Sequence, residues 1–231
     1  MILDEFPKIL WINLDSSIER RKRMERLLLE YKFNAVRIPA INGELMDAEY
    51  RSTCIPNRNY HAKENACTCS HLKALKYFIE KMTDEKIIVF EDDVSFEFLE
   101  YVPFNWSQLV NITLPKNYNV VQLATSGENI SLDLTEINAD SKSYGTIAYL
   151  ITRAAATQLL DKYYSKRFNR FVLANEKWIT ADSALYSLPH TYRIPIFTYT
   201  NTDSTIHNIH LQKHAASKKI QLELWSKIKM K

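Results

Sequence analysis

Glu91, Asp92 and Asp93 stand side by side, directly after Ile87-Ile88-Val89-Phe90 and before Val94. Three adjacent carboxylates repel one another, so placing them beside a core costs stability unless something cationic meets them. Hard oxygen ligands in a tight group suit Mg²⁺ or Mn²⁺, above all an ion that also holds a diphosphate. A second charge cluster runs through Arg20, Arg21, Lys22, Arg23 and Arg26. Most of it reads as a solvated helix face. Arg20 and Arg21, however, fall in the first turn, where a phosphate-bearing ligand would sit. His207, His210 and His214 have helical spacing, but nothing else in the chain points to zinc.

The elements that must position these groups are legible from hydrophobic pattern. A continuous apolar run such as 87–90 reads as a strand buried on both faces, and its carboxyl end is where open α/β sheets bind ligands. Lys8 to Leu14 reads as a first strand. Ser16 and Glu19 stand at capping-box spacing for a helix whose apolar face is Met24, Leu27, Leu28 and Tyr31. Asn34 to Ile41 gives a second strand, closed by Asn42-Gly43 as a turn with glycine for positive φ. Residues 44–66 read as a long functional loop with helical turns, and Ser70 as the cap of the next helix. Further strands are expected at 119–124, 146–152 and 193–199, with Pro195 favouring an edge. A helix is expected at 153–164 and a short one opening at Thr180-Ala181-Asp182. Residues 127–142 read as a surface hairpin or loop. The expectation is one α/β domain over 1–215, with a mixed, mostly parallel sheet between helices, then a basic helix or tail over 216–231.

At 231 residues, 46% hydrophobic and 25% charged, the chain is long enough and apolar enough to bury a real core. Its 30 basic residues against 27 acidic leave +3, too little to argue for a nucleic-acid partner. The three glycines are scattered, which excludes a glycine-rich phosphate cradle. A nucleotide diphosphate would therefore be held through a metal and side chains. Cys54, Cys67 and Cys69 do not form a secreted disulfide framework, and Cys67 and Cys69 read as buried thiols in a strand or loop. No signal peptide or apolar run of membrane-spanning length is evident. A cytoplasmic chain is expected, with peripheral contact to the cytosolic face of a membrane available to the basic tail.

Several motifs, in order, resemble glycosyltransferase family 25, which includes lipopolysaccharide sugar transferases and collagen galactosyltransferases. They are Ile12-Asn13-Leu14 with Glu19-Arg20-Arg21 and Met24, then Ala40-Ile41-Asn42-Gly43, then Glu64 to His71. Val89 to Val94 resembles the family's acidic hallmark, a DxD-like motif. Ala148 to Thr152 with Ala156, Asp182, and Ser204-Thr205-Ile206 complete the set. Cys69 replaces a usual apolar residue, and Ala155 a common glycine. The resemblance implies a GT-A-type (Rossmann-like) fold and a UDP-sugar donor. It also implies Mn²⁺ or Mg²⁺, inversion at the anomeric carbon, and a glycan or hydroxylated protein as acceptor.

On that basis Asp93 is the expected direct metal ligand. Glu91 orients it or contacts the ribose, Asp92 is an alternative ligand, and His207 or His210 completes the shell. Asp182 is the expected catalytic base, although the first turn of a helix stabilises its charged form and weakens it as a base. Glu176 is the reserve. Arg20, Arg21 and Lys73 are candidate diphosphate partners, and Asn13 and Asn42 candidate contacts for base or ribose. His71 reads as a structural hydrogen-bonder. The alternatives are a non-catalytic nucleotide- or glycan-binding module, and another metal-dependent nucleotidyl- or phosphotransferase.

Overall fold

The computed structural model describes residues 5–45, 48–126, 130–138, 145–176, 179–200 and 211–229. In chain order the elements are β1 (Ile9–Asn13), α1 (Ile18–Glu30), β2 (Ala35–Pro39), α2 (Ala48–Thr53), β3 (Cys54–Ile55) and α3 (Ala62–Lys81). Next come β4 (Lys86–Glu91), β5 (Val94–Ser95), α4 (Trp106–Gln108, running into a π-helical turn over Leu109–Thr113), β6 (Val120–Gln122) and β7 (Thr135–Ile137). The rest are β8 (Ala148–Thr152), α5 (Arg153–Tyr163), β9 (Tyr164–Ser165), β10 (Arg170–Val172), α6 (Ala181–Leu185), β11 (Thr191–Arg193), β12 (Thr198–Tyr199) and α7 (Leu211–Lys229).

Seven strands form one mixed sheet in the order β2-β1-β4-β8-β6-β11-β7. β2, β1 and β4 run parallel, β8 lies antiparallel between β4 and β6, and β11 is parallel to β6. Period-2 alternation along β4 divides the core. Ile87 and Val89 pack with α3 and α5 through Leu72, Leu75, Phe78 and Leu159. Ile88 and Phe90 face the opposite layer, with Met24 and Leu28 of α1, Phe96, Phe197 and Trp225 of α7. All four strand residues are fully buried, as a two-faced central strand requires.

Some local expectations give way to tertiary contacts. Helix α3 starts at Ala62, with Glu64 accepting from the His61 amide at 2.9 Å, so Ser70 lies mid-helix rather than at a cap. Cys67 and Cys69 are therefore helical, not in a strand or loop. The 44–66 stretch carries the expected helical turn as α2, and in addition β3 and the first turn of α3. Pro195 does not sit on an edge strand but separates β11 from β12. From the polar 127–142 stretch, Thr135–Ile137 joins the main sheet as its edge. Helix α7 is docked: Trp225 is buried and its indole donates to the Pro195 carbonyl at 3.0 Å.

Candidate active site

From β1 the chain returns through α1 to β2 on one side, then through α3 to β4 on the other. Neighbouring parallel strands β1 and β4 thus diverge at a topological switch point, the usual location of an α/β ligand crevice. A cleft of about 170 Å³ opens there, at the carboxyl ends of β1, β2 and β4. Arg20, Asn42, Lys63, Cys67, His71 and Glu91 are among its lining residues.

Register delivers Glu91 and Asp92 to this cleft, whereas Asp93 is not among its lining residues. Ile12 pairs with Glu91, so the next step sets Asn13 beside Asp92. The Asn13 amide donates to Asp92 Oδ2 at 2.6 Å, and Arg20 Nη1 lies 3.2 Å from Asp92 Oδ1. Burial pushes the Asp92 carboxyl above its usual range against the pull of Arg20 and Asn13. Glu91 Oε1 accepts from Thr146 Oγ1 at 2.6 Å and lies 3.5 Å from His71 Nε2. Burial raises the Glu91 carboxyl, but His71 and Thr146 outweigh it, and the group falls below its usual range.

Asp93 is treated differently. Its carbonyl accepts from Thr200 N at 2.8 Å, which fastens β5 to β12, but its buried Oδ1 has no hydrogen-bond partner. Burial, then repulsion from Glu91 and Asp92, raises its carboxyl to about 7. An unpartnered buried carboxylate oxygen beside two further acids fits a divalent cation. Among the described residues, no three His, Cys, Asp or Glu side chains are placed to hold a metal ion together. His207, His210 and Ser204-Thr205-Ile206 lie outside the described residues, as does Gly127.

The other expected site residues separate into two groups. Asn42 and Arg20 line the cleft. Arg21 is bonded to Glu25 on the exposed face of α1, and Lys73 to Glu49 at 2.7 Å; neither lines the cleft. Asn13 is there, yet Arg37 Nε donates to its Oδ1 at 2.9 Å while its amide serves Asp92, so both ends of its side chain are used within the protein. Glu176 pairs with Lys162 at 3.0 Å, away from the cleft lining.

Asp182 enters α6 beside the capping Thr180, receives Ser183 N at 3.1 Å and is approached by Gly145 N at 3.4 Å. The following residue, Thr146, is the one bonded to Glu91, so one dipeptide joins the two carboxylates. Cys67, on the cleft wall, registers the convergence. Burial, then Glu91, Asp182, Asp93 and Glu64, push its thiol well above its usual range.

Sequence reasoning missed three contributors. Arg23 donates to the Asp92 and Val94 carbonyls at 2.7 and 3.0 Å, clamping the acidic turn; its i,i+3 spacing from Arg20 was the available signal. Arg37, a cation inside an apolar strand, fixes Asn13. Ser70 accepts from Ile41 N at 2.9 Å and donates to Ala66 O at 2.7 Å, anchoring the turn after β2 to α3. Gly43 in that turn does not need positive φ. A Cβ there would stand 2.4 Å from the Ala62 carbonyl oxygen, so close backbone approach is what requires glycine. The positive φ among described glycines is at Gly145, +97°.

An acid-tipped central strand opening on a switch-point cleft defines an α/β protein with its candidate site at the carboxyl ends of β1, β2 and β4. The family model described as glycosyltransferase family 25 (LPS biosynthesis protein) matches residues 6–176, and the chain belongs to that family. The match ends before Asp182. A Drosophila melanogaster glycosyltransferase 25 family member is 27% identical over 170 residues, which are 66% of this chain but 27% of that protein. The chain thus spans about a quarter of that relative's length. Among solved structures, a glycosyltransferase involved in the glycosylation of the major capsid of PBCV-1 aligns with TM-score 0.41 and 8% identity, covering 93% of this chain and 98% of that one. The apo-form glycosyltransferase GlyE of Streptococcus pneumoniae TIGR4 aligns with TM-score 0.45 and 10% identity, covering 96% and 63%.

Proposed function

We propose that the chain is a metal-dependent, inverting glycosyltransferase that moves a hexose from a UDP-sugar to a hydroxyl of a glycan or hydroxylated protein. The observation that carries this reading is Asp93, whose buried Oδ1 lacks a partner and which directly follows Asp92 on a cleft wall shared with Arg20 and Lys63. Asp93 would hold Mn²⁺ or Mg²⁺, with Glu91 beside it and His207 as a further ligand. Such an ion neutralises charge that develops on a departing diphosphate.

The chain's own groups supply the rest. Arg20, one-fifth exposed and on the cleft wall, offers a cation to the diphosphate. Asn42 Oδ1 is taken by the Glu44 amide, leaving its NH₂ to donate to base or ribose. Asp182 is the acceptor-side carboxylate in this reading and takes the proton of the attacking hydroxyl. Ser183 N and Gly145 N hold that carboxylate in place from α6 and from the segment before β8.

The test is a thermal-shift screen of nucleotide sugars with and without Mn²⁺, followed by product analysis. UDP-sugar and Mn²⁺ together should raise the melting temperature, and turnover should release UDP. Release of pyrophosphate would identify a nucleotidyltransferase, and binding without turnover across an acceptor panel would identify a non-catalytic module.

A further inference from the structure

His71 is buried inside α3, and both of its ring nitrogens are engaged. Nδ1 lies 3.2 Å from the Tyr149 hydroxyl and Nε2 3.5 Å from Glu91 Oε1. A carboxylate is an acceptor, so the nitrogen facing it must carry the hydrogen. In a neutral ring Nδ1 is then an acceptor, and the Tyr149 hydroxyl is its donor. Burial keeps that hydroxyl far above its usual range, so it retains its proton. Thr146 Oγ1 donates to the same Glu91 oxygen. Two donors arriving from α3 and from the segment before β8 therefore converge on Oε1.

We propose that His71 is a positioning residue for the donor: Tyr149 sets its tautomer, and His71 with Thr146 fixes Glu91 through Oε1, leaving Oε2 to accept a hydroxyl of the nucleotide sugar. This rests on the cleft being the donor site. A helical histidine with a single partner would only fill space. Here the ring bridges a core tyrosine and a cleft carboxylate 78 and 20 positions away from it in sequence. Because the contact it prepares is made before and during reaction alike, its loss belongs in donor KM rather than kcat.

Two measurements test it. The first needs no donor: ¹⁵N NMR of the free protein should show His71 as the Nε2–H tautomer, losing that preference in Tyr149→Phe. An Nδ1–H tautomer in the wild type overturns the proposal whatever the protein binds. The second is steady-state kinetics with a UDP-sugar and Mn²⁺. His71→Leu should raise donor KM about tenfold with little change in kcat, the loss expected of one hydrogen bond to a charged group. His71→Gln, whose amide reaches the place of Nε2, should recover most of that loss. Equal donor KM in wild type and His71→Leu, or a Gln variant no better than Leu, overturns it. If His71→Leu does not fold, Tyr149→Phe against His71→Gln makes the same comparison. Wild-type protein that binds no nucleotide sugar, with the expected tautomer present, instead overturns the donor-site reading and the hydroxyl contact with it.

Discussion

At the carboxyl end of β4, Glu91 and Asp92 are each met by groups from elsewhere in the fold: His71 and Thr146 for one, Asn13 and Arg20 for the other. One residue further on, at the β5–β12 corner, Asp93 has its carbonyl secured while its carboxylate Oδ1 has no hydrogen-bond partner. The two corners share acidic residues at adjacent chain positions. What separates them is supply of donors. A carboxylate already satisfied by the protein is a scaffold; one without a partner retains the attraction for a cation that a satisfied one has spent. The acidic cluster is thus two acids held by side chains from elsewhere in the fold and one with an unpartnered oxygen, rather than three equivalent groups.

The largest break in that contrast is Asp93→Asn. Donor turnover with Mn²⁺ should fall on the order of 10³-fold. Metal-free stability in urea at pH 8 should hold or rise, because a repelled buried charge is gone. Wild-type turnover in this variant would remove Asp93 from the proposed metal site.

Removing the partner of a held acid should do the reverse. Arg20→Met leaves Asp92 buried beside Glu91 with one donor fewer and should cost about 2 kcal/mol in urea unfolding, since a buried charge loses its counter-ion. Donor KM should rise in the same variant.

The pH dependence sharpens the comparison through opposite signs. Asp93 has a raised carboxyl, so it favours the folded state below its unfolded value. Metal-free stability should then decline as pH climbs from about 4 through about 7, with Asp92 acting in the same direction. Glu91 has a lowered carboxyl. Its contribution is present above its unfolded value and is lost as pH falls through the lower folded one. Urea midpoints against pH should show the decline flattened in Asp93→Asn and the acid limb flattened in Glu91→Gln.

The smallest effect is expected at Arg21. It pairs with Glu25 at 2.9 Å with both side chains about half exposed, so Arg21→Ala should change stability by less than about 0.5 kcal/mol. Donor KM should be unchanged. A large rise would restore Arg21 as a diphosphate partner and blur the distinction from Arg20.

Legibility followed the range of the interactions concerned. The strand at 87–90 and the helix at 18–30 were readable because their patterns repeat within the element. The start of α3 was misplaced because Ser70 has the chemistry of a cap, while its hydroxyl is in fact spent on Ala66 and Ile41. Arg20 and Arg21 were indistinguishable as neighbours. A rotation of about 100° per residue turns one toward Asp92 and the other toward Glu25. Arg23 is indistinguishable from the solvated face in the sequence, because a cation bonded to two backbone carbonyls leaves no trace in composition.

By itself the sequence determined that a buried strand ends in three acids and that no glycine cradle competes to hold a phosphate. Those are properties of contiguous residues, and local sterics and burial enforce them. Only the tertiary structure decided which acid keeps an unpartnered oxygen. The deciding donors come from positions 13, 20, 71 and 146, and sheet register and helix packing, not chain order, bring them within hydrogen-bond range of 91 and 92 but not of 93.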